Sequence, residues 1–176
     1  MMLKFELKGK KNISLIGLMG SGKSIIGKDI SKIYNIDFYD SDKEIESITG
    51  KSINNIFTEN GEKYFREIEE KTCLELLKKN NCIISLGGGS IISQKVRKYI
   101  YYNSYCIYLK TNINILVERL NKSNKRPLLN NVDKKSKLME IYNSRKEYYN
   151  NADLIINNNF NRKELIKEIK SKISYK

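Results

Sequence analysis

Eight residues constrain this chain more than any others. Gly17-Leu18-Met19-Gly20-Ser21-Gly22-Lys23-Ser24 fits G-x-x-x-x-G-K-[ST], the loop that cradles phosphates. Its flanks fit as well. Asn12 to Ile16 reads as a short buried strand, and Ser24 to Ile33 as a helix with Ile26, Ile30 and Ile33 on one face. Glycines at 17, 20 and 22 let the backbone curl until its N–H groups converge on an anion. The helix start adds orphan N–H donors and partial positive charge. Lys23 can reach the β- and γ-phosphates of a nucleotide, and the Ser24 hydroxyl can ligate Mg²⁺.

The rest of the chain alternates in kind. Strands are predicted near 12–16, 36–40, 82–86, 104–109 and 153–156. Helices are predicted near 23–34, 42–49, 61–79, 93–101, 112–121, 134–150 and 161–174. Strands alternating with helices imply an α/β fold on a parallel sheet. A length of 176 residues suits one domain, 1–176, with no internal repeat and no linker. The run Asn157-Asn158-Asn159 reads as a turn before the last helix. Pro127, the only proline, lies in the polar stretch Asn121 to Lys135, which lacks clear periodicity and reads as a mobile lid.

Composition narrows the function classes. No run approaches the ~20 apolar residues of a membrane span. The start, MMLKFELKGKK, has no apolar core of signal-peptide length, so a cytoplasmic location without membrane attachment is expected. Cys73, Cys82 and Cys106 show no paired spacing and read as reduced core residues. With no histidine, no structural zinc site is expected and no Ser-His or Cys-His nucleophile is possible. Proton handling then falls to carboxylates, lysines or tyrosines. A net charge of +13 invites a nucleic-acid reading. The lysines are spread along the whole chain, however, and Lys, Asn, Ile and Tyr are over-used together. The tyrosine-rich Tyr99 to Lys110 could stack bases, but it divides naturally into a helix end and the strand Tyr105 to Leu109. No nucleic-acid partner is expected; a basic surface also suits an anionic nucleotide and an acidic co-substrate.

Several residues carry two readings each. Asp40 closes the second strand and Asp42 sits at a helix N-cap position. The carboxyl ends of parallel strands open onto one ligand crevice, so both carboxylates also face the phosphate site. Arg66, in Gly61-Glu62-Lys63-Tyr64-Phe65-Arg66-Glu67, either pairs with Glu70 along its helix or serves a ligand. Phe65, Ile68 and Leu76 form the core face of that helix, with Thr72 between. Gly87-Gly88-Gly89 ends the third strand, where three glycines imply close backbone approach or unusual dihedrals. Arg126 in Lys125-Arg126-Pro127 has the placement of an arginine finger on a lid, or of a solvated loop cation. Arg145 taken alone reads as a surface charge.

Taken together, GLMGSGKS, DSD at 40–42, GEKYFRE around Arg66, SLGGGS at 85–90, KRPLL at Arg126 and SRKEYY at Arg145 resemble the shikimate kinase family. The likeness runs from about Asn12 to Asn159. It implies a three-layer P-loop kinase fold, like that of nucleoside monophosphate kinases, with a five-stranded parallel sheet flanked by helices and a mobile lid at about 121–135. It implies transfer of the γ-phosphoryl of ATP to the 3-hydroxyl of shikimate, a step toward chorismate and the aromatic amino acids. By resemblance, Gly20, Ser21, Gly22, Lys23, Ser24 and Ile25 bind ATP together with Arg119 and Arg126. Ser24 and Asp40 serve Mg²⁺, and Asp42 binds shikimate and orients or deprotonates its hydroxyl. Arg66 and Arg145 hold the shikimate carboxylate, and Gly87, Gly88 and Gly89 contact the substrate through backbone N–H groups. The resemblance makes Lys23, Asp42 and Arg126 the catalytic residues of a chain expected to act as a monomer. Arginine's forked donors suit a planar carboxylate. The chain departs from the family pattern at Ile25, after the P-loop serine, and at Asn157 to Phe160 on the adenine side. The competing readings are another small P-loop kinase, such as a gluconate or nucleoside monophosphate kinase, and a nucleotide-binding or nucleic-acid-binding module without catalysis.

Overall fold

Five short parallel strands, three of them buried on both faces, form the middle layer of a computed structural model that describes residues 7, 9–121, 132–159 and 161–173. In chain order the elements are β1 (Asn12–Ile16), α1 (Lys23–Tyr34), β2 (Asp37–Asp40), α2 (Ser41–Thr49), α3 (Ile53–Leu77) and β3 (Cys82–Ser85). A 3₁₀ turn (Ser90–Ile92) follows, then α4 (Gln94–Asn103), β4 (Ser104–Lys110), α5 (Ile113–Asn121), α6 (Lys134–Asn150), β5 (Leu154–Asn157) and α7 (Arg162–Lys172).

The strand order is β2-β3-β1-β4-β5. Every neighbouring pair is parallel, with Leu15 opposite Ser85 on one side and Ile107 on the other. Parallel strands need crossovers, and crossover helices cover both faces, so the central strands are buried on both sides. The two-residue period then sorts their side chains into two cores. Ile83 and Ile107 join Leu15, Ile30 and Ile169 under α1 and α7. Ile84 and Tyr108 join Leu76, Val96, Leu116 and Tyr149 under α3 to α6. A third, small cluster of Ile45, Ile56 and Phe65 ties α2 to α3.

Three local expectations change. The helix expected from residue 61 begins at Ile53, where Ser52 Oγ accepts the Asn55 N–H at 3.2 Å. Gly61, at φ 82° and ψ 171°, interrupts it. Eight asparagine-rich residues are too few to show a helical period, and their order comes from Ile56 packing on Ile45 and Phe65. The N-cap of α2 is Asp40 rather than Asp42: Asp40 Oδ1 accepts the N–H groups of Asp42 (3.1 Å) and Lys43 (3.4 Å). On α1 the buried series is Ile26, Ile30 and Tyr34, while Ile33 is 45% exposed. The buried face also contains Lys23 and Gly27, which swings its centre away from Ile33.

Cys73, Cys82 and Cys106 are free and buried. Burial pushes the Cys82 and Cys106 thiols up to about 12, so they stay protonated and inert. No described helix is long and apolar enough to cross a membrane. The lid residues Lys125, Arg126 and Pro127 lie outside the described residues.

Gly27 shows how tightly α1 sits on the sheet. A Cβ there would meet the Phe38 ring and stand 3.1 Å from Leu15 Cδ1. Gly27→Val should therefore destabilise the fold by about 1–3 kcal/mol through overpacking. Urea unfolding checks this: the midpoint should fall with an unchanged slope.

Candidate active site

Because β2, β3 and β1 are neighbours, the loops leaving their carboxyl ends must meet. The loop after β1 holds Gly20 at φ 80° and Gly22 at φ 86°, left-handed backbone that favours glycine. Leu120 of α5 packs against Gly20, its Cγ 3.2 Å from where a Cβ would stand. Lys23 is buried and its Nζ donates to the carbonyls of Gly17 (2.8 Å) and Leu18 (3.0 Å). Arg119 Nη1 donates to Gly20 O at 3.2 Å. Ser24 Oγ donates to Asp40 Oδ2 and lies 3.4 Å from Ser85 Oγ. Asp40 thus spends one oxygen capping α2 and the other on Ser24.

Two cavities open on this edge. The larger, about 480 Å³, is lined by the phosphate loop, Ile25, Asp40, Asp42, Ser85, Gly87 and Arg119. Ile25 stands 56% exposed at its rim. The smaller, about 40 Å³, is lined by Asp42, Arg66, Glu69, Gly89 and Arg145, with Ile53, Phe57 and Phe65 as apolar wall. Met19, Asp42 and Gly88 line both, and so mark their boundary.

The smaller cavity collects charges from separate helices. Arg66 Nη1 donates to Glu69 Oε2 at 2.6 Å, and its Nε and Nη2 donate to Glu62 Oε1 at 3.1 and 2.8 Å. The Arg66–Glu70 pair considered from sequence does not form. Glu70 turns to the other side and accepts from Ser93 Oγ and Lys95 Nζ. Arg145, on α6, is only 6% exposed; its Nη1 donates to Gly88 O at 2.8 Å and its buried Nε has no hydrogen-bond partner. Tyr149 Oη, one helical turn on, donates to the same oxygen at 3.2 Å. The Tyr149 ring stacks on Tyr108 at 4.8 Å and 8°.

The three glycines after β3 are explained by crowding, since none of them has a positive φ. A Cβ at Gly87 would stand 2.6 Å from Asp42 Oδ1 and 2.7 Å from Glu69 Oε1. One at Gly89 would run into the Arg66 guanidinium, and one at Gly88 would stand 3.3 Å from Met19 N. The Gly87 N–H is donated to Ser41 Oγ at 2.8 Å, so Gly87 shapes the cavity through its missing side chain rather than through an outward amide.

Sequence reasoning missed Glu69, which is 3% exposed, and the apolar wall of Ile53 and Phe57. The signal for Glu69 was present: it falls in the buried series Phe65, Thr72 and Leu76. An acid in an apolar stripe needs a partner. Burial raises the Glu69 carboxyl above its ordinary value, the Arg66 charge pulls it back, and the nearby Asp42 pushes it up again. For Arg66, burial opposes the charge, but Glu69 and Glu62 outweigh it and the net direction is up.

A phosphate loop on β1, a ligand-sized cavity over it and a second, charge-lined cavity beside it define a P-loop kinase. A sequence model described as shikimate kinase matches residues 19–174. The chain belongs to the shikimate kinase family. A shikimate kinase of Rhizobium leguminosarum bv. trifolii is 37% identical over 158 residues, 90% of this chain and 81% of the relative. The shikimate kinase of Acinetobacter baumannii, solved in complex with shikimate, superposes with a TM-score of 0.87 at 31% identity, covering 91% of this chain and 90% of that one. A gluconokinase of Sinorhizobium meliloti 1021 shares the fold alone: TM-score 0.59 at 14% identity, over 93% and 91% of the two chains.

The raised Glu69 carboxyl has a pH consequence. Its folded value lies above the ordinary 4.5, so between the two the native state binds more protons than the unfolded state. Stability from this group is therefore greatest below that window and is lost as pH rises through the folded value. Glu69→Gln removes the titration. Urea midpoints from about pH 4 to about pH 7 should decline more with pH in the wild type than in the variant.

Proposed function

We propose that this chain transfers the γ-phosphoryl group of ATP to the 3-hydroxyl of shikimate. The observation that carries this reading is the shared small cavity: Arg66 of α3 and Arg145 of α6 line it together with Asp42, one wall away from the phosphate loop. Two guanidinium groups offer forked donors to a carboxylate, and the buried Arg145 Nε has a donor to spend. Ile53, Phe57 and Phe65 suit the apolar face of a carbon ring. An open-chain acid such as gluconate, with a hydroxyl on each carbon beyond its carboxylate, has no such face.

In this reading Gly20 to Ile25 wrap the ATP phosphates, Lys23 meets charge on the transferring phosphoryl group, and Arg119 borders the adenine side. Asp42 orients the acceptor hydroxyl and takes its proton as the oxygen attacks the γ-phosphorus. The bond from that phosphorus to the β–γ bridging oxygen breaks, and ADP leaves. Gly88 and Gly89 bring backbone against the acceptor, and Arg126 closes over the phosphates. Mg²⁺ fits the hard oxygen donors at the foot of the larger cavity: Ser24 would hold it, and Asp40 would support it through water. When bound it would neutralise charge on the phosphates. The chemistry asks for positioning and charge stabilisation rather than a covalent intermediate, which agrees with a chain that has no histidine.

An ADP-release assay across shikimate, gluconate and nucleoside monophosphates should respond to shikimate alone. Arg66→Lys and Arg145→Lys keep the charge and lose the fork, so each should raise the apparent shikimate constant with little change for ATP. Truncation of either to alanine should cost on the order of 2–5 kcal/mol of acceptor binding. Turnover with gluconate, or an arginine change that weakens ATP and spares shikimate, would overturn the reading. For Arg126→Ala the expected pattern is different: kcat should fall much more than shikimate binding weakens, because the contact is made in the transition state.

A further inference from the structure

Asn158, the residue after β5, reaches across the molecule into the phosphate loop. It is 5% exposed and lines the larger cavity. Its side-chain Nδ2 donates to Ser21 O at 2.5 Å, spanning 137 positions of sequence. A carbonyl oxygen only accepts, so chemistry alone places the amide nitrogen of Asn158 on that side. The anchor behind it is firm. Asn157 pairs with Lys110 in the sheet, the Asn158 N–H donates to Lys110 O at 2.7 Å, and Asn159 Oδ1 accepts the Asn112 N–H at 2.9 Å. Three successive asparagines thus fix one carboxamide against one carbonyl.

The contact has a directional consequence. A trans peptide is planar, with its C=O and N–H pointing opposite ways. No cis peptide occurs among the described residues. Since the Ser21 carbonyl is turned toward Asn158, the N–H of the same peptide, which belongs to Gly22, is turned away from it. Gly22 is the N-cap of α1, sits in left-handed backbone at φ 86°, and lines the larger cavity. Glycine backbone there rotates readily, so its orientation needs an outside hold. The hold also explains the lack of a side chain: a Cβ on Gly22 would stand 3.1 Å from Asn158 Nδ2.

We propose that Asn158 is a positioning residue for the phosphate loop: by holding the Ser21 carbonyl it aims the Gly22 N–H at the phosphates of the nucleotide. This rests on the larger cavity being the nucleotide site, and it asks nothing of the acceptor.

Two variants test it, Asn158→Asp and Asn158→Ser. The aspartate keeps the shape and faces the Ser21 oxygen with a second acceptor; the serine is too short to reach. Binding of Mg²⁺–ADP by titration calorimetry, kinetic constants for ATP and for shikimate, and the melting temperature are measured on the full chain. The expected result is a loss of ADP affinity of about tenfold or more in both variants, the scale of one unmade hydrogen bond. The aspartate should be the worse, because it adds negative charge beside the phosphates. The apparent ATP constant should rise in parallel, and the shikimate constant should move less than about twofold, since the acceptor cavity shares no contact with Asn158. Unchanged ADP affinity in either folded variant overturns the proposal. So does an equal loss for ADP and shikimate with a fall in melting temperature, which would make Asn158 a residue of general stability. A wild type that binds ADP and does not phosphorylate shikimate would sink the acceptor assignment and leave the ADP comparison intact.

Discussion

Everything at the site hangs on β1 being the central strand. It pairs in parallel with β3 on one side and β4 on the other, and the Leu86 N–H continues the ladder onto Leu15 O at 3.1 Å. The pairing brings the loop after β1 beside Gly87 to Gly89 and beside the end of β4. It also buries the strand on both faces, which makes the turn that follows stiff at its root. A glycine loop with no such support would spend its binding energy on its own ordering.

From that strand the site divides by charge. Lys23, the start of α1 and Arg119 concentrate positive charge over the phosphate loop, with Asp40 and Asp42 lining the same cavity. The neighbouring side mixes signs, with Arg66 and Arg145 set against Glu69 and Asp42. Buried charges of this kind are tolerated only when each has a partner. Glu69 serves Arg66 in that way and holds its guanidinium against Gly89. The Gly88 carbonyl does the same for Arg145, and the same oxygen also accepts from Tyr149. The three consecutive glycines follow from this crowding: two carboxylates fill the space beside Gly87, a guanidinium that beside Gly89, and the backbone of the phosphate loop that beside Gly88.

Asp40 shows how few residues serve several tasks. One oxygen caps α2 and so sets the direction in which Asp42 leaves the sheet. The other meets Ser24 of the phosphate loop. Local helix chemistry and the phosphate loop thereby share one side chain. Asn158 stands in a similar place at the other end of the loop, where the end of the sheet and the loop's carbonyl meet.

The sequence by itself determined the strands and most helices, since β-period and helical-period runs are local and strong. It also determined the phosphate loop, because a motif of fixed spacing on a strand and a helix carries its own geometry. Arg66 and Arg145 could be singled out by residue type and motif, yet alone Arg66 read equally well as half of an ion pair along its helix, and Arg145 as a surface charge. What the sequence left open was the choice among competing partners. That Arg66 turns to Glu69 rather than Glu70, that residues 53–60 coil into a helix, and that Asn158 holds Ser21 are decided by which surfaces meet after folding. The physical reason is that burial selects among partners that are equivalent in a solvated chain: a charge or carbonyl removed from water takes the one partner the packing puts within reach.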